Sequence, residues 1–512
     1  MTIRPHDRTI HNQLMAILAI LSFAVLALLF TSWDSYLYDL WQHRDVIWFY
    51  ACGKAWMSGM TPYVDFADSK GPLLWLIYGI GYLLSPRDYV GCYWLSCLLY
   101  AIIFYQCYKC ALLYTRDGIR AFIAVVLSSL LFLGPLTHVE VRTEDYCYPA
   151  MLAVFYRFMI HAVSGDRSRA SVSKSAIVLG ISLGVTLLIK YSCTLMLAVF
   201  IPYLCIVIPR RSGYPVWRSM GLCLLAAVLT ILPMMVALAV QGCLGAFVQE
   251  YFLVTASTFD NMHGSVITVS GILRMFTGRG LLVFTLLVIA GMGLYVARTK
   301  GDRRWAIAAW LWFLAVIMLN GTDRIYFNVL ALFSVLFAGL AVQFLNRWLS
   351  HWVAAASLAV IVLGALFLMT GRESLYNQRS PEQTAWWYYA TLMEQYDQPR
   401  TLYLMCHDHG EGVPARSLPA CKYWSLQMGY TPAMLRNQLD AVQQGLCDIV
   451  FVMSDNVKMV LLMEGTGYYR YDFTDIGVGM PDFPHALLYS RRALDARADC
   501  VPSATDILLK IR

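Results

Sequence analysis

The residues best placed to do chemistry lie between Asp34 and Pro72, in the stretch DSYLYDLWQHRDVIWFYACGKAWMSGMTPYVDFADSKGP. Asp34, Asp39, Asp45, Asp65 and Asp68 are set among aromatic residues, and Lys70 stands just before Gly71 and Pro72. A carboxylate can take the proton of a hydroxyl nucleophile, and an ammonium can hold negative charge that develops on a reacting group. Solvated loops rarely mix acids with so many rings. The composition suits a ledge at a membrane surface, with rings at headgroup depth and polar groups facing water. Asp45 opens HRDVIWFYACGKAWMSG, where apolar residues recur at helical spacing, as in an amphipathic helix lying on a membrane. A carboxylate is favoured at such a helix start, so plain capping is the simpler reading of Asp45 alone. Asp65 and Asp68, beside Lys70, read on the same reasoning as a solvated turn.

A second cluster is Glu140, Arg142, Thr143, Glu144 and Asp145, in THVEVRTEDYCYP. Its acids repel one another unless a cation or Arg142 sits among them. Lys190, in LLIKYS, ends an apolar run and reads equally well as a lysine reaching back to the interface. His407, Asp408 and His409 hint at a metal, but two alternating histidines without further ligands fit a solvated loop better, and His263 is as ambiguous. The chain has no phosphate-binding glycine loop, dinucleotide fingerprint, Gly-x-Ser-x-Gly elbow or His-Glu-x-x-His motif.

The elements that must position these residues are membrane spans. Of 512 residues, 59% are hydrophobic and 14% charged, and the mean hydropathy is +0.57. A soluble protein could not hide so much apolar surface, so the class is a polytopic α-helical membrane protein. The net charge of +7 is scattered through short connections, which speaks against nucleic-acid binding. Candidate spans fall near 14–32, 88–109, 119–136, 147–163, 174–190, 192–208, 219–241, 281–297, 305–320, 326–344 and 353–370, about eleven in all. The first is read as an anchor, not a removed signal. Lysine and arginine gather in every second connection, which places those connections in the cytoplasm. The alternation holds only if 71–86 does not span, so this short apolar piece is expected to be re-entrant or interfacial. The loop 33–87 and everything after Gly371 then face away from the cytoplasm.

The expected domains are a transmembrane part, 1–370, and an extracytoplasmic α/β domain, 371–512. The latter carries helix-like runs at Pro381–Tyr396 and Thr431–Leu446 and β-rich runs at Thr401–Met405 and Asp448–Met453. Most of the 14 cysteines lie in apolar runs, as small buried hydrophobes. Cys406, Cys421, Cys447 and Cys500 fall in the polar region, where one or two disulfides could form with no pairing legible from spacing.

Taken together, the N-terminal span, Asp45 in an aromatic helix, GMTPYVDFADSKGPLLW and RTEDY before a later span resemble the GT-C superfamily of membrane glycosyltransferases. The nearest patterns are the protein O-mannosyltransferases, the lipid A aminoarabinose transferases and the bacterial Rgt-type sugar transferases. The motifs cover roughly residues 10–200, and beyond them the likeness is architectural. The resemblance implies an enzyme that inverts the anomeric centre while moving a sugar from a polyprenyl phosphate to a lipid, polysaccharide or protein acceptor, in cell-envelope glycan synthesis. It implies a bacterial inner-membrane location with the site on the periplasmic side. It makes Asp45 the catalytic or acceptor-positioning acid and Lys70 the partner of the lipid phosphate. Asp68, Glu144 and Asp145 become acceptor- or metal-positioning acids, and a divalent metal ion on Asp45 and Glu144 an optional cofactor. Relatives often carry acids where this chain has Val46 and Ser69, which weakens the metal expectation. A flippase of lipid-linked sugars, and a polysaccharide ligase or polymerase using a lipid pyrophosphate, are the alternatives. Arg274, Arg279 and Arg324 are too few to decide for the last.

Overall fold

A computed structural model describes residues 5–32, 34–35, 44–133, 143–255, 352–368, 385–408, 410–426, 431–472 and 486–495. Glu140, Arg142, His263, Arg274, Arg279, Arg324, His409 and Cys500 lie outside these residues, as do the expected spans 281–297, 305–320 and 326–344. The chain divides into two compact units. One comprises residues 1–32, 96–235 and 263–372, and the other 33–95, 236–262 and 373–512.

The first unit is helical. Its elements are α1 (Pro5–Thr31), α4 from Ser96 onward (Val90–Thr115 in full), α5 (Gly118–Phe132), α6 (Tyr148–Met159), α7 (Arg169–Ile189), α8 (Tyr191–Ala198), α9 (Ile208–Ser212), most of α10 (Val216–Val240) and α12 (Trp352–Leu366). Among the described residues four helices are long and apolar enough to cross a membrane: Gln13–Thr31, Val90–Leu113, Arg169–Ile189 and Val216–Val240. The expected span 192–208 is bent by 41° between Tyr191–Ala198 and Pro202–Ser212, as in a broken span or a re-entrant loop. Pro202 explains the break, because it has no N–H to give and crowds the preceding turn. Aromatic edges such as Phe23 on Phe122 and Phe104 on Phe132 join the helices. At Gly180 an added Cβ would lie 2.1 Å from the Cys223 carbonyl oxygen, so this glycine lets α7 approach α10.

The second unit holds α2 (Arg44–Met57), α3 (Pro72–Leu84), the start of α4, the short α11 (Leu244–Phe247) with a π-helical stretch Val248–Val254, and the C-terminal domain. The segment 71–86 gives only α3, whose 13 residues make about 20 Å of helix, short of a hydrocarbon core of about 30 Å. Gly71 caps it and Pro72 starts it, at the position where proline's missing N–H costs nothing. Its buried face carries Trp75, Tyr78 and Tyr82, while Leu83 and Leu84 are exposed. The helix α2 differs from expectation. It is buried almost all round from Val46 to Ala55, so it is a core helix and not one lying on a membrane surface. Gly53 allows this: an added Cβ there would come within 2.4 Å of the Gly79 nitrogen and 2.7 Å of the Trp75 oxygen. The two backbones therefore nearly touch.

The C-terminal domain is α/β, as its sequence pattern suggests. Strands β1 (Arg400–Leu404), β2 (Leu418–Pro419), β3 (Ile449–Met453), β4 (Tyr469–Tyr471) and β5 (Ala486–Ser490) form one mixed sheet in the order β2-β1-β3-β5-β4. β1 is parallel to β2 and β3, while β5 is antiparallel to β3 and β4. The helices are α13 (Ala385–Met393), α14 (Pro432–Gln443) and α15 (Val457–Glu464). The Thr431 side chain accepts from the Met434 N–H and caps α14. Leu402, Leu404, Val450, Val452 and Leu487 pack with Ala441, Val442 and Met463 in the core. Cys406, Cys421 and Cys447 are free thiols, so none of the disulfides contemplated for this domain forms among the described residues.

Candidate active site of the first loop

Asp45 stands in the first turn of α2, exposed at its outer end. That is the end whose N–H groups favour a carboxylate. Asp68 and Lys70 come from the loop that leads into α3. This loop is held by Tyr63, which adopts the left-handed φ of 62°, an uncommon conformation for a bulky residue. Its ring packs on Trp75 at 4.4 Å and on Phe247 at 5.3 Å, and its hydroxyl donates to the Lys70 carbonyl at 2.9 Å. The turn that contains it closes when the Thr61 N–H donates to Asp65 Oδ2 at 2.7 Å, so Asp65 is the exposed turn acid its sequence suggests. Asp68 is not. It is 9% exposed, its Oδ1 accepts from the Ser69 N–H at 2.6 Å, and its Oδ2 is buried with no hydrogen-bond partner among the described residues.

Lys70 Nζ donates to Ser69 Oγ at 3.0 Å and lies 5.8 Å from the Phe49 ring centre. Burial raises the pKa of Asp68, and Lys70 partly offsets that. The Asp45 charge raises it further, so Asp68 feels the charges of both Asp45 and Lys70. The structure thus gathers three of the expected site residues in one place: an exposed carboxylate, a buried carboxyl with a free oxygen, and an ammonium. Such a set can accept a proton, hydrogen-bond a hydroxyl and hold a phosphate.

Glu144 and Asp145 belong to the other unit. Both are buried, at the start of a short 3-10 turn that leads into α6. Lys190, extended between α7 and α8, donates from Nζ to Glu144 Oε1. The Tyr100 hydroxyl donates to Asp145 Oδ2 at 3.1 Å. Lys190 is thus the cation that this acid cluster needs, and interfacial snorkelling does not describe it. No group of three or more His, Cys, Asp or Glu among the described residues is arranged to hold a metal ion. Glu144 already meets the Lys190 ammonium. Glu144→Gln keeps an acceptor for Lys190 but leaves the ammonium uncompensated. We expect a stability loss of about 1–3 kcal/mol, read as a lower melting temperature in detergent. Unchanged melting, with transfer abolished by a chelator and restored by added metal, would return Glu144 to a metal role.

Three features escaped the sequence. Glu250, 5% exposed, lies in the π-helical stretch and accepts from Lys422 Nζ at 2.6 Å and the Tyr423 hydroxyl at 3.2 Å. A lone acid in an apolar run, as in QEYFLV, is a signal that could have flagged it. Trp48 and Trp424 pack with ring centres 4.4 Å apart. Lys54, buried in α2, is lowered to about 8 by burial, opposed by Asp408. Asp408 in turn is raised by burial and Glu411 to about 6, so it is no ordinary solvated loop acid.

No family model matches the chain, and no curated protein sequence matches it. Solved structures do. ArnT from Cupriavidus metallidurans bound to undecaprenyl phosphate matches with a TM-score of 0.62 at 12% identity, over 95% of this chain and 99% of that one. The same protein in the apo state matches at 0.61 and 12% identity, over 96% and 98%. The chain has the GT-C fold. In the GT-C fold of this chain, Asp45, Asp68 and Lys70 stand in the first long loop, between α1 and α4.

Proposed function

We propose that this integral membrane protein is an inverting glycosyltransferase that moves a sugar from a polyprenyl phosphate to an acceptor hydroxyl outside the cytoplasm. The observation that carries this reading is the grouping of Asp45, Asp68 and Lys70 within a GT-C fold. The acceptor oxygen attacks the anomeric carbon, and the bond from that carbon to the phosphate oxygen breaks with inversion. Asp45, the exposed carboxylate, takes the acceptor proton. Lys70, aided by the partial positive charge at the start of α3, holds the charge gathering on the phosphate. A phosphate leaves readily, so no acid is needed at the departing oxygen. Asp68 offers its free oxygen to a hydroxyl of donor or acceptor. The transmembrane part, 1–370, anchors the lipid, and the α/β domain, 371–512, lies outside the cytoplasm, in cell-envelope glycan synthesis at the bacterial inner membrane. The acceptor is a lipid, polysaccharide or protein.

The test is sugar transfer by purified protein from polyprenyl-phosphate sugars, with glycolipid and glycan analysis of a deletion strain to identify the product. Lipid crossing a bilayer with the sugar–phosphate bond never cleaved would make the protein a flippase instead. The topology makes its own prediction. Reporter fusions after residue 420 and within 33–87 report the same, non-cytoplasmic side. A cytoplasmic signal at residue 420 would overturn the location of the site.

A further inference from the structure

The segment Lys422–Trp424 meets the candidate site from two directions. The Ala67 N–H, one residue before Asp68, donates to the Lys422 carbonyl at 3.1 Å. Trp424 packs on Trp48, one helical turn beyond Asp45. The segment is itself fixed to the C-terminal sheet and α14. The Tyr403 N–H donates to the Trp424 carbonyl at 2.7 Å, and Gln438 Nε2 donates to the Tyr423 carbonyl at 2.7 Å. Its other two side chains point elsewhere: Lys422 Nζ and the Tyr423 hydroxyl both bind the buried carboxylate of Glu250. One acid from the π-helical stretch therefore holds the segment that touches both arms of the site.

We propose that Glu250, through Lys422 and Tyr423, is a positioning residue that sets the 422–424 segment against Ala67 and Trp48, and so fixes where Asp68 and Asp45 stand. The role rests on the glycosyltransferase reading for its consequence, but not for its geometry. Glu250 touches no reacting atom. Its carboxylate gathers one ammonium and one hydroxyl in a buried place, where charge-assisted bonds are strong and a missing partner is costly. Without it the segment loses the anchor opposite the sheet, and the Ala67–Lys422 bond opens more often.

Hydrogen exchange by mass spectrometry on the full-length protein in lipid nanodiscs tests this without any assay of activity. In Glu250→Gln and Lys422→Met, peptides covering 60–72 and 420–426 should exchange at least about tenfold faster, while peptides covering 400–404 and 449–453 keep wild-type protection. Lys422→Arg restores the ion pair and should restore protection. Tyr423→Phe removes one hydroxyl, and should give a smaller effect of the same pattern should the charge variants misfold. Unchanged exchange at 60–72 in all of them, or equal loosening of the strands, would overturn the proposal. Where transfer is measurable, Glu250→Gln should lower kcat more than it raises KM. A wild type with no transfer activity would sink the enzyme reading while leaving the exchange result standing.

Discussion

Asp45→Asn should reduce sugar transfer on the order of 10²-fold or more. The substitution keeps size and hydrogen-bonding reach and removes only charge and basicity. Asp45 is exposed in the first turn of α2, so the helix does not depend on packing there and should still form. Donor binding should survive, because removing a carboxylate near an anionic phosphate cannot repel it further. The measurement is transfer from a polyprenyl-phosphate sugar, beside binding of the same donor by the same preparation. Intact binding with lost transfer is the expected result. Wild-type transfer would remove Asp45 from the chemistry and leave Asp68 as the base.

Lys70→Ala should act on the other half of the reaction, with a loss of about 10²–10³-fold and with donor binding weakened as well. The lysine's backbone is fixed by the Tyr63 hydroxyl, and its ammonium is oriented by Ser69 Oγ and the Phe49 ring. The side chain can therefore be removed without unfolding the loop, and the protein should insert and purify normally. Lys70→Arg should recover only part of the activity, because a planar fork does not replace a point charge. Wild-type turnover in Lys70→Ala would end the phosphate role.

Much of the fold is legible in the sequence wherever local chemistry decides it. Gly71-Pro72 marks the start of α3, Asp45 the start of α2 and Thr431 the cap of α14. The runs at Thr401–Met405 and Asp448–Met453 give β1 and β3 to within a residue. What is not legible depends on partners far along the chain. Asp68 beside Ser69 and Lys70 looks like a solvated turn until Ala67 is seen pinned to Lys422. Aromatic residues at helical spacing in α2 suggest one apolar face, because nothing local reveals that Trp424 and α3 cover the others. Lys190 looks interfacial until Glu144 is found beside it. Periodicity reports that a face is apolar, but not how many neighbours will cover it.

The near-contact of Gly53 with Gly79 and Trp75 has a consequence for how this protein can change. Asp45 rides on α2 and Lys70 sits at the head of α3, so the seam between these helices is the gauge that spaces the proposed base from the proposed cation. The smallest side-chain step away from glycine is alanine, and at Gly53 its Cβ would meet backbone at 2.4 Å. Backbone cannot move aside as a flexible side chain can. Gradual adjustment of that spacing is therefore closed at Gly53. A variant adapted to a differently sized sugar must remodel the loop around Tyr63 or the segment at Lys422, leaving the gauge as it is.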